Sequence, residues 1–360
     1  IEAVRAQIRI GRRSFARLSG QPPLGLWLPE CGFDERTAAL LGCEGEAVAY
    51  TVVDAHALER GRPRPPQGTA RPVLGPGGVA YFARDQAAAR QVWSRAEGYP
   101  GDPAYREFYR DLGSDGPAAE LAGLSAGTVT GLKYYRITGG RGPKLPSEPR
   151  AARARVRAHA DDFVAACKAS LARQARPATA APPILVAAYD AELFGHWWFE
   201  GPAFVERVLR NLAQSTELEP TALEGYLAAH PRCPVVRPAS SSWGDGGYGG
   251  VWMGPRTARL CRHVHRAQRR VRDAVRLHRD AAGVFGAALD QAIRELMLLQ
   301  ASDWPFMIHG GDLADYGLQR FERHGARVQR LLDMVTSPPL AERDAPWLRR
   351  LQSKQRYLLE

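Results

Sequence analysis

With 360 residues, 45% of them hydrophobic and 8 of them tryptophan, the chain can bury one large catalytic domain plus a smaller one, which excludes a disordered protein. Its formal charge of +11 at pH 7 raises nucleic acid as a partner, but the arginines and alanines spread along the whole chain. No basic motif is interleaved with aromatics, so no nucleic-acid partner is expected. No apolar run approaches the roughly 20 residues that a membrane helix needs.

No signal peptide is visible, and the start, Ile1-Glu2-Ala3-Val4-Arg5-Ala6, already reads as a charged helix without an initiator Met. The chain is therefore expected to begin inside a longer protein. Cys31, Cys43, Cys167, Cys233 and Cys261 are odd in number and form no CxxC pair, which points to reduced thiols and a cytoplasmic location. Cys261 and His265 have helical i, i+4 spacing with His263 between them, but a second ligand pair is missing. An ordinary helix surface is expected there, and no metal.

In chain order, residues 1–19 predict an amphipathic helix, Gly20-Gln21-Pro22-Pro23 a turn, and Leu24 to Leu28 a buried strand. A short helix follows with Asp34 as its N-cap, then a strand from Ala47 to Val53. This alternation is the rhythm of a parallel α/β sheet or barrel. From about 60 to 147 the pattern loosens into Pro-, Gly- and Arg-rich stretches, as expected of an insertion at a catalytic face.

A long helix from Glu148 to Ala175 leads into a strand from Ile184 that ends at Asp190. Helices near 203–215 and 221–229 follow, then a short strand at Val235–Pro238 that opens into Ser240-Ser241-Ser242-Trp243-Gly244 and on to Trp252. Beyond Gly254 the periodicity is helical only, at roughly 256–280, 283–301, 312–335 and 339–357. In the first of these, Leu260, Val264, Ala267, Val271, Ala274 and Val275 share one face and leave the arginines on the solvated side. The division is then a barrel-like domain over 1–253, with the insertion at about 60–147, and a helical domain over 254–360.

Glu30 and Asp190 each stand where an apolar run stops, and each is followed by aromatic and glycine residues. Barrel strands deliver such residues to a shared site, and paired carboxylates with aromatic platforms suit glycosidic bonds. The same placement suits an acidic residue at a helix start, and spacing alone leaves both readings open. The glycines of 244–250 match neither a P-loop nor a dinucleotide fingerprint. Flanked by Trp243 and Trp252, they read as an open loop that presents flat rings to a ligand, or as ordinary packing of those rings. His196 has two roles open to it, polarising a sugar hydroxyl or donating a structural hydrogen bond.

Three segments together resemble signature regions of glycoside hydrolase family 57. They are Trp27-Leu28-Pro29-Glu30-Cys31, Tyr189-Asp190-Ala191-Glu192-Leu193-Phe194-Gly195-His196-Trp197-Trp198, and Ser242-Trp243-Gly244 through Trp252. The subgroup most resembled is the 1,4-α-glucan branching enzymes. Tyr105-Arg106-Glu107-Phe108-Tyr109-Arg110-Asp111, Gly131-Leu132-Lys133-Tyr134-Tyr135 and Ala301-Ser302-Asp303-Trp304-Pro305-Phe306 extend the likeness to about residue 330.

The resemblance implies an incomplete (β/α)7 barrel followed by a helical domain, acting by retention on α-1,4-glucan as a monomer or small homo-oligomer without cofactor or metal. It puts Glu30 on the nucleophile, Asp190 on the acid/base, and Trp243 and Trp252 on aromatic positions of the glucan site. Asp303 falls on a residue of the helical domain that closes over the cleft. A tyrosine of the loosened region, Tyr81 or Tyr99, is expected to cover the intermediate. The family's first two signature regions, which normally precede Trp27, have no counterpart in this chain. An α-amylase or 4-α-glucanotransferase of the same family, and a non-catalytic glycan- or nucleic-acid-binding protein, are the alternatives.

Overall fold

The computed structural model describes residues 2–43, 48–94, 97–115, 123–125, 127–139, 144–175 and 181–355. It is an α/β structure in which helices predominate. The first part of the chain contains α1 (Glu2–Ser19), β1 (Gly25–Leu26), α2 (Glu35–Leu41), β2 (Tyr50–Asp54) and α3 (Ala55–Glu59). Then come β3 (Val73–Leu74), β4 (Ala80–Arg84), α4 (Gln86–Trp93), α5 (Leu112–Asp115), α6 (Pro149–Gln174), α7 (Gly201–Ala213) and α8 (Leu223–Ala229). The rest of the described chain is helical: α9 (Gly250–Met253), α10 (Ala258–Leu277), α11 (Gly283–Leu299), α12 (Asp303–Gly310), α13 (Ala314–Thr336) and α14 (Pro338–Lys354).

Two compact units result. The first comprises Ile1–Arg62, Leu74–Tyr81 and Arg237–Glu360; the second comprises Pro63–Val73 and Phe82–Val236.

In the first unit, β1 pairs in parallel with β2, with Gly25 opposite Tyr50 and Leu26 opposite Thr51. Glycine is required at position 25, because a Cβ there would lie 2.2 Å from the Tyr50 ring. Ala80 donates to Ala49 O at 2.9 Å, so the start of β4 lines up beyond β2, as the sheet order β1-β2-β4-β3 requires. Asp34 caps α2 as expected, accepting from Thr37 N at 2.8 Å.

The bundle of this unit is built by α10, α11, α13 and α14. Leu260, Val271 and Ala274 of α10 are buried, with Val264, Ala267 and Val275 packed beside them. They meet Ala288, Ala292 and Leu299 of α11 and Leu331 and Met334 of α13. Each fully buried side chain of this kind contributes roughly 1.5–3 kcal/mol relative to exposure. Amid this apolar core Glu295 and His324 are both wholly buried and bonded to each other at 2.6 Å. Arg327 and Gln355 donate to the other carboxylate oxygen of Glu295, so that the buried charge is answered on both oxygens.

The second unit is organised around α6 and α7. Val156, Ala160 and Phe163 of α6 pack with Phe204 and Val208 of α7 and with Tyr105 and Trp198 of the connecting segments, so that the two helices share one core. Arg155 forks onto Asp102 through two nitrogens at 2.9 and 2.7 Å.

Several sequence expectations change. The run Ala80 to Arg84, absorbed into the loosened region, is a strand, with Ala80 to Ala83 all buried. A strand buried on both faces lacks the alternation that reveals one. The strand expected from Leu24 to Leu28 shortens to two residues, and the one expected at Ala47–Val53 begins at Tyr50 and ends at Asp54. Residues 44–47 lie outside the described residues. The strand expected to end at Asp190 is an extended segment with one bridge, Val186 to Arg84, where Asp85 N donates to Val186 O at 2.9 Å. Val235–Pro238 likewise reduces to a single bridge between Arg237 and Arg62. Helix α12 was not anticipated; residues 311–313 separate it from α13.

Candidate functional site

Glu30 lies in a tight turn, Pro29–Cys31, that continues from β1. Its φ of 58° and the φ of 52° at Cys31 are the positive values found at non-glycine residues among those described. Two successive left-handed residues with side chains cost about 1–2 kcal/mol each, so the surroundings must enforce them. Cys31 N donates to Leu28 O at 2.9 Å and Gly32 N to Pro29 O at 3.0 Å, closing the turn. The Cys31 side chain is wholly buried. Phe33 and Ser241 exchange two backbone hydrogen bonds at 2.8 and 3.0 Å, tying the segment after the turn to the segment before the glycine loop.

Trp243 completes the arrangement. Its backbone N donates to Glu30 O at 3.0 Å, and its indole Nε1 donates to Glu30 Oε2 at 2.7 Å. Trp27 packs edge-on against the same indole, with ring centroids 5.0 Å apart. A charge-assisted bond of that length fixes one carboxylate oxygen of Glu30.

The loop after Trp243 turns through Gly244, Gly246, Gly247 and Gly249, all at positive φ, a path that glycine follows without strain. It is pinned where His56 Nε2 donates to Gly247 O at 2.8 Å and where Gly249 N donates to Ser242 Oγ at 2.7 Å. The loop delivers Trp252 into the wall of a cavity of about 650 Å³ that also holds Glu30. Ser302 and Pro305 line the same cavity on either side of Asp303, which is itself exposed at the first turn of α12.

The second unit holds the other expected residues. Asp190 is half-buried on relaxed extended backbone, φ −68° and ψ 132°, and its carbonyl accepts from Leu193 N at 3.2 Å. The preceding side chain is anchored: Tyr189 OH donates to Ala88 O at 2.9 Å, and burial pushes that phenol well above its ordinary pKa. After Asp190 the chain folds back on itself, Gly195 N donating to Trp198 O and Trp198 N to Leu193 O, both at 2.8 Å. Trp198 is buried against Tyr105 and Phe204, whereas Trp197 is exposed over Phe108 with centroids 4.2 Å apart. His196 is exposed and touches the edges of Phe108 and Trp197.

Tyr99 and Tyr81, the tyrosines expected to cover an intermediate, both make packing contacts. Tyr99 stacks on His159 at 4.6 Å, meets Phe204 at 5.6 Å, and donates its hydroxyl to Asp162 at 2.6 Å. Burial first, and Asp162 second, push its pKa far up. Tyr81 is wholly buried in β4, its pKa pushed up to about 12 by burial.

Sequence reading also missed contributors. Cys261 and His265 of α10, taken as an ordinary helix surface, line the cavity, as do Ser241 and Gln300. The i, i+4 pair was visible, but only the fold shows that the face it occupies borders a cavity. Among the described residues no cluster of His, Cys, Asp or Glu has the arrangement of a metal site.

Residues 263–359 match the family model described as "1,4-alpha-glucan branching enzyme, C-terminal". The 1,4-alpha-glucan branching enzyme TK1436 of Thermococcus kodakarensis is 31% identical, over 98% of this chain and 54% of its own length. A probable 1,4-alpha-glucan branching enzyme of Mycobacterium tuberculosis is 32% identical, over 91% of this chain and 57% of its own. The crystal structure of TK1436, a GH57 branching enzyme, in complex with glucose and additives superposes with a TM-score of 0.82 at 30% identity, covering 99% of this chain and 68% of that one. This chain belongs to glycoside hydrolase family 57.

Another GH57 branching enzyme, from Pyrococcus horikoshii, matches at TM-score 0.84 and 29% identity, over 98% and 65% of the two chains. A crystal structure titled as an α-amylase, from Thermotoga maritima, matches at TM-score 0.86 and 32% identity, over 98% and 66%. The chain spans about half the length of the curated family 57 relatives it matches. No helix among the described residues is long and apolar enough to cross a membrane.

Proposed function

We propose that this protein is a 1,4-α-glucan branching enzyme that cleaves α-1,4-glucan with retention and transfers the chain to a 6-hydroxyl. The observation that carries the reading is Glu30, forced into a left-handed turn and bonded to the Trp243 indole at the wall of a sugar-sized cavity. The relatives named as branching enzymes supply the reaction class. In this reading Glu30 is the nucleophile at the anomeric carbon and Asp190 protonates the departing chain. Asp190 then takes the proton of the acceptor 6-hydroxyl, which resolves the glycosyl-enzyme with retention. Trp252, Trp243, Asp303, His196 and Tyr99 are assigned to glucan binding.

The reading extends to an incomplete (β/α)7 barrel over 1–253 followed by the helical domain over 254–360, in a cytoplasmic monomer or small homo-oligomer. Five free cysteines support a reducing compartment. Glu30→Gln and Asp190→Asn in the full-length protein are each expected to abolish new α-1,6 linkages on amylose, read by proton NMR. Wild-type branching in either variant would refute the assigned roles.

The likeness to a structure titled as an α-amylase favours one second reading, hydrolysis of the same glucan. The same NMR experiment separates the two: reducing ends that rise without α-1,6 signals identify the hydrolase.

A further inference from the structure

Three polar side-chain atoms in the wall of the Glu30 cavity are buried without a hydrogen-bond partner among the described residues: Ser241 Oγ, Trp252 Nε1 and Gln300 Nε2. Buried donors are ordinarily paired, because an unpaired one forfeits its hydration without return. Three in one cavity wall therefore point to a ligand that supplies acceptors.

Two of the three are held in place by what their other atoms do. Gln7 Nε2 donates to Gln300 Oε1 at 2.5 Å, which commits the amide oxygen and turns the NH2 group away from Gln7. Ser241 is locked by its two backbone bonds to Phe33, so the position of its Cβ is set by the same ladder that holds the Glu30 turn.

The lining defines the ligand class. Glu30 and Asp34, both acidic, line the cavity, which disfavours an anion. Phe33, Trp252, Met253 and Pro305 add flat or apolar surface. A neutral ring with apolar faces and a rim of hydroxyl groups fits both features.

We propose that Gln300 and Ser241 are specificity-determining residues that hydrogen-bond hydroxyl groups of a glucose unit seated beside Glu30, with Trp252 Nε1 as a third donor. This rests on the glucan reading above. Gln300 directly follows α11 and precedes α12, so the helical part of the first unit reads the sugar that the turn at Glu30 attacks. Ser241 adds a donor from the segment before the glycine loop. Removing either donor weakens binding while the nucleophile and its indole partner stay in place.

The test is calorimetric titration of maltoheptaose into the full-length protein and its Gln300→Met and Ser241→Ala variants, with Tm measured in parallel. The unaltered protein is expected to bind, and each variant to bind about five- to tenfold more weakly, the effect of one hydrogen bond. Ser241→Ala removes a hydroxyl that has no hydrogen-bond partner among the described residues, so its Tm is expected to hold or rise. Equal affinity in both variants overturns the inference and leaves the glucan reading standing. A Ser241→Ala protein that loses Tm together with affinity marks a structural role and also overturns it. An unaltered protein that fails to bind maltoheptaose removes the glucan reading, and the inference with it.

Discussion

Glu30 and Asp190, the two carboxylates proposed for catalysis, sit in settings that differ in nearly every respect. Glu30 stands on two left-handed residues, its carboxylate bonded directly by an indole, with a two-way backbone bridge just beyond. Asp190 stands on relaxed extended backbone, and the side chain before it, Tyr189, is bonded to Ala88 O in the core of the second unit. The difference matches the tasks proposed for them. A nucleophile must hold one oxygen in line with a carbon, and strain enforced from outside holds it there. An acid/base must give a proton and later recover one, which needs access more than rigidity.

The largest expected effect tests that contrast directly. Trp243→Phe keeps an aromatic ring against Trp27 and deletes the bond to Glu30 Oε2. A charge-assisted hydrogen bond is worth about 1.5–3 kcal/mol, so kcat on amylose is expected to fall about 10- to 100-fold. Tyr189→Phe is the matched change on the other side. It removes a buried hydroxyl bond, expected to cost about 1 kcal/mol of stability while kcat stays within about threefold. If both variants lose activity alike, the two carboxylates are held in the same way and the comparison breaks.

A smaller effect measures the strain itself. Cys31 is wholly buried at φ 52°, and a β-branched side chain tolerates that backbone poorly. Cys31→Val also adds a methyl group to a filled space. Together these are expected to cost roughly 2–4 kcal/mol, read from the shift of the urea midpoint. A cost below about 0.5 kcal/mol would mean that the turn relaxes freely, and rigidity at Glu30 would lose its physical basis.

The sequence made some of this legible. The helices α1 and α10 were visible because their apolar residues recur with the helical period, and the Asp34 cap because its carboxylate precedes the first apolar turn. Glu30 and Asp190 stood out because each ends an apolar run. The left-handed turn at Glu30 was not legible, since neither Glu30 nor Cys31 is a residue that favours it; long-range bonds to Trp243 and Ser241 impose it. Strand β4 was hidden because both its faces are buried, and the run into Asp190 looked like a strand because extended apolar backbone has the same composition whether or not it pairs. Cys261 and His265 come from α10 and Gln300 from the residue just after α11, and only packing decides which helical face or end meets a cavity.

The smallest expected effect concerns how the second unit orders backbone without left-handed strain. Asp111 Oδ1 accepts from Gly113 N, Thr130 N and Thr130 Oγ1 at 2.8–3.0 Å, and its other oxygen accepts from Gly131 N at 2.9 Å. Lys133 Nζ lies 3.9 Å away. One carboxylate thus gathers both ends of the segment from 111 to 133. The donors, Thr130 N foremost, hold its pKa down to about 2. The folded value lies below the unfolded one, so this contribution is complete above about pH 4 and is lost as pH falls through about 2. Asp111→Asn keeps an acceptor for the donors at Oδ1 but turns an NH2 toward Gly131 N–H, and it is expected to lower Tm by a few degrees at neutral pH. That gap should narrow as the unaltered protein is acidified through the same window, because protonated Asp111 no longer differs in charge from asparagine. A gap that stays constant down to about pH 2 would assign the loss to shape and not to charge, and would leave the second unit's loop without an electrostatic tie.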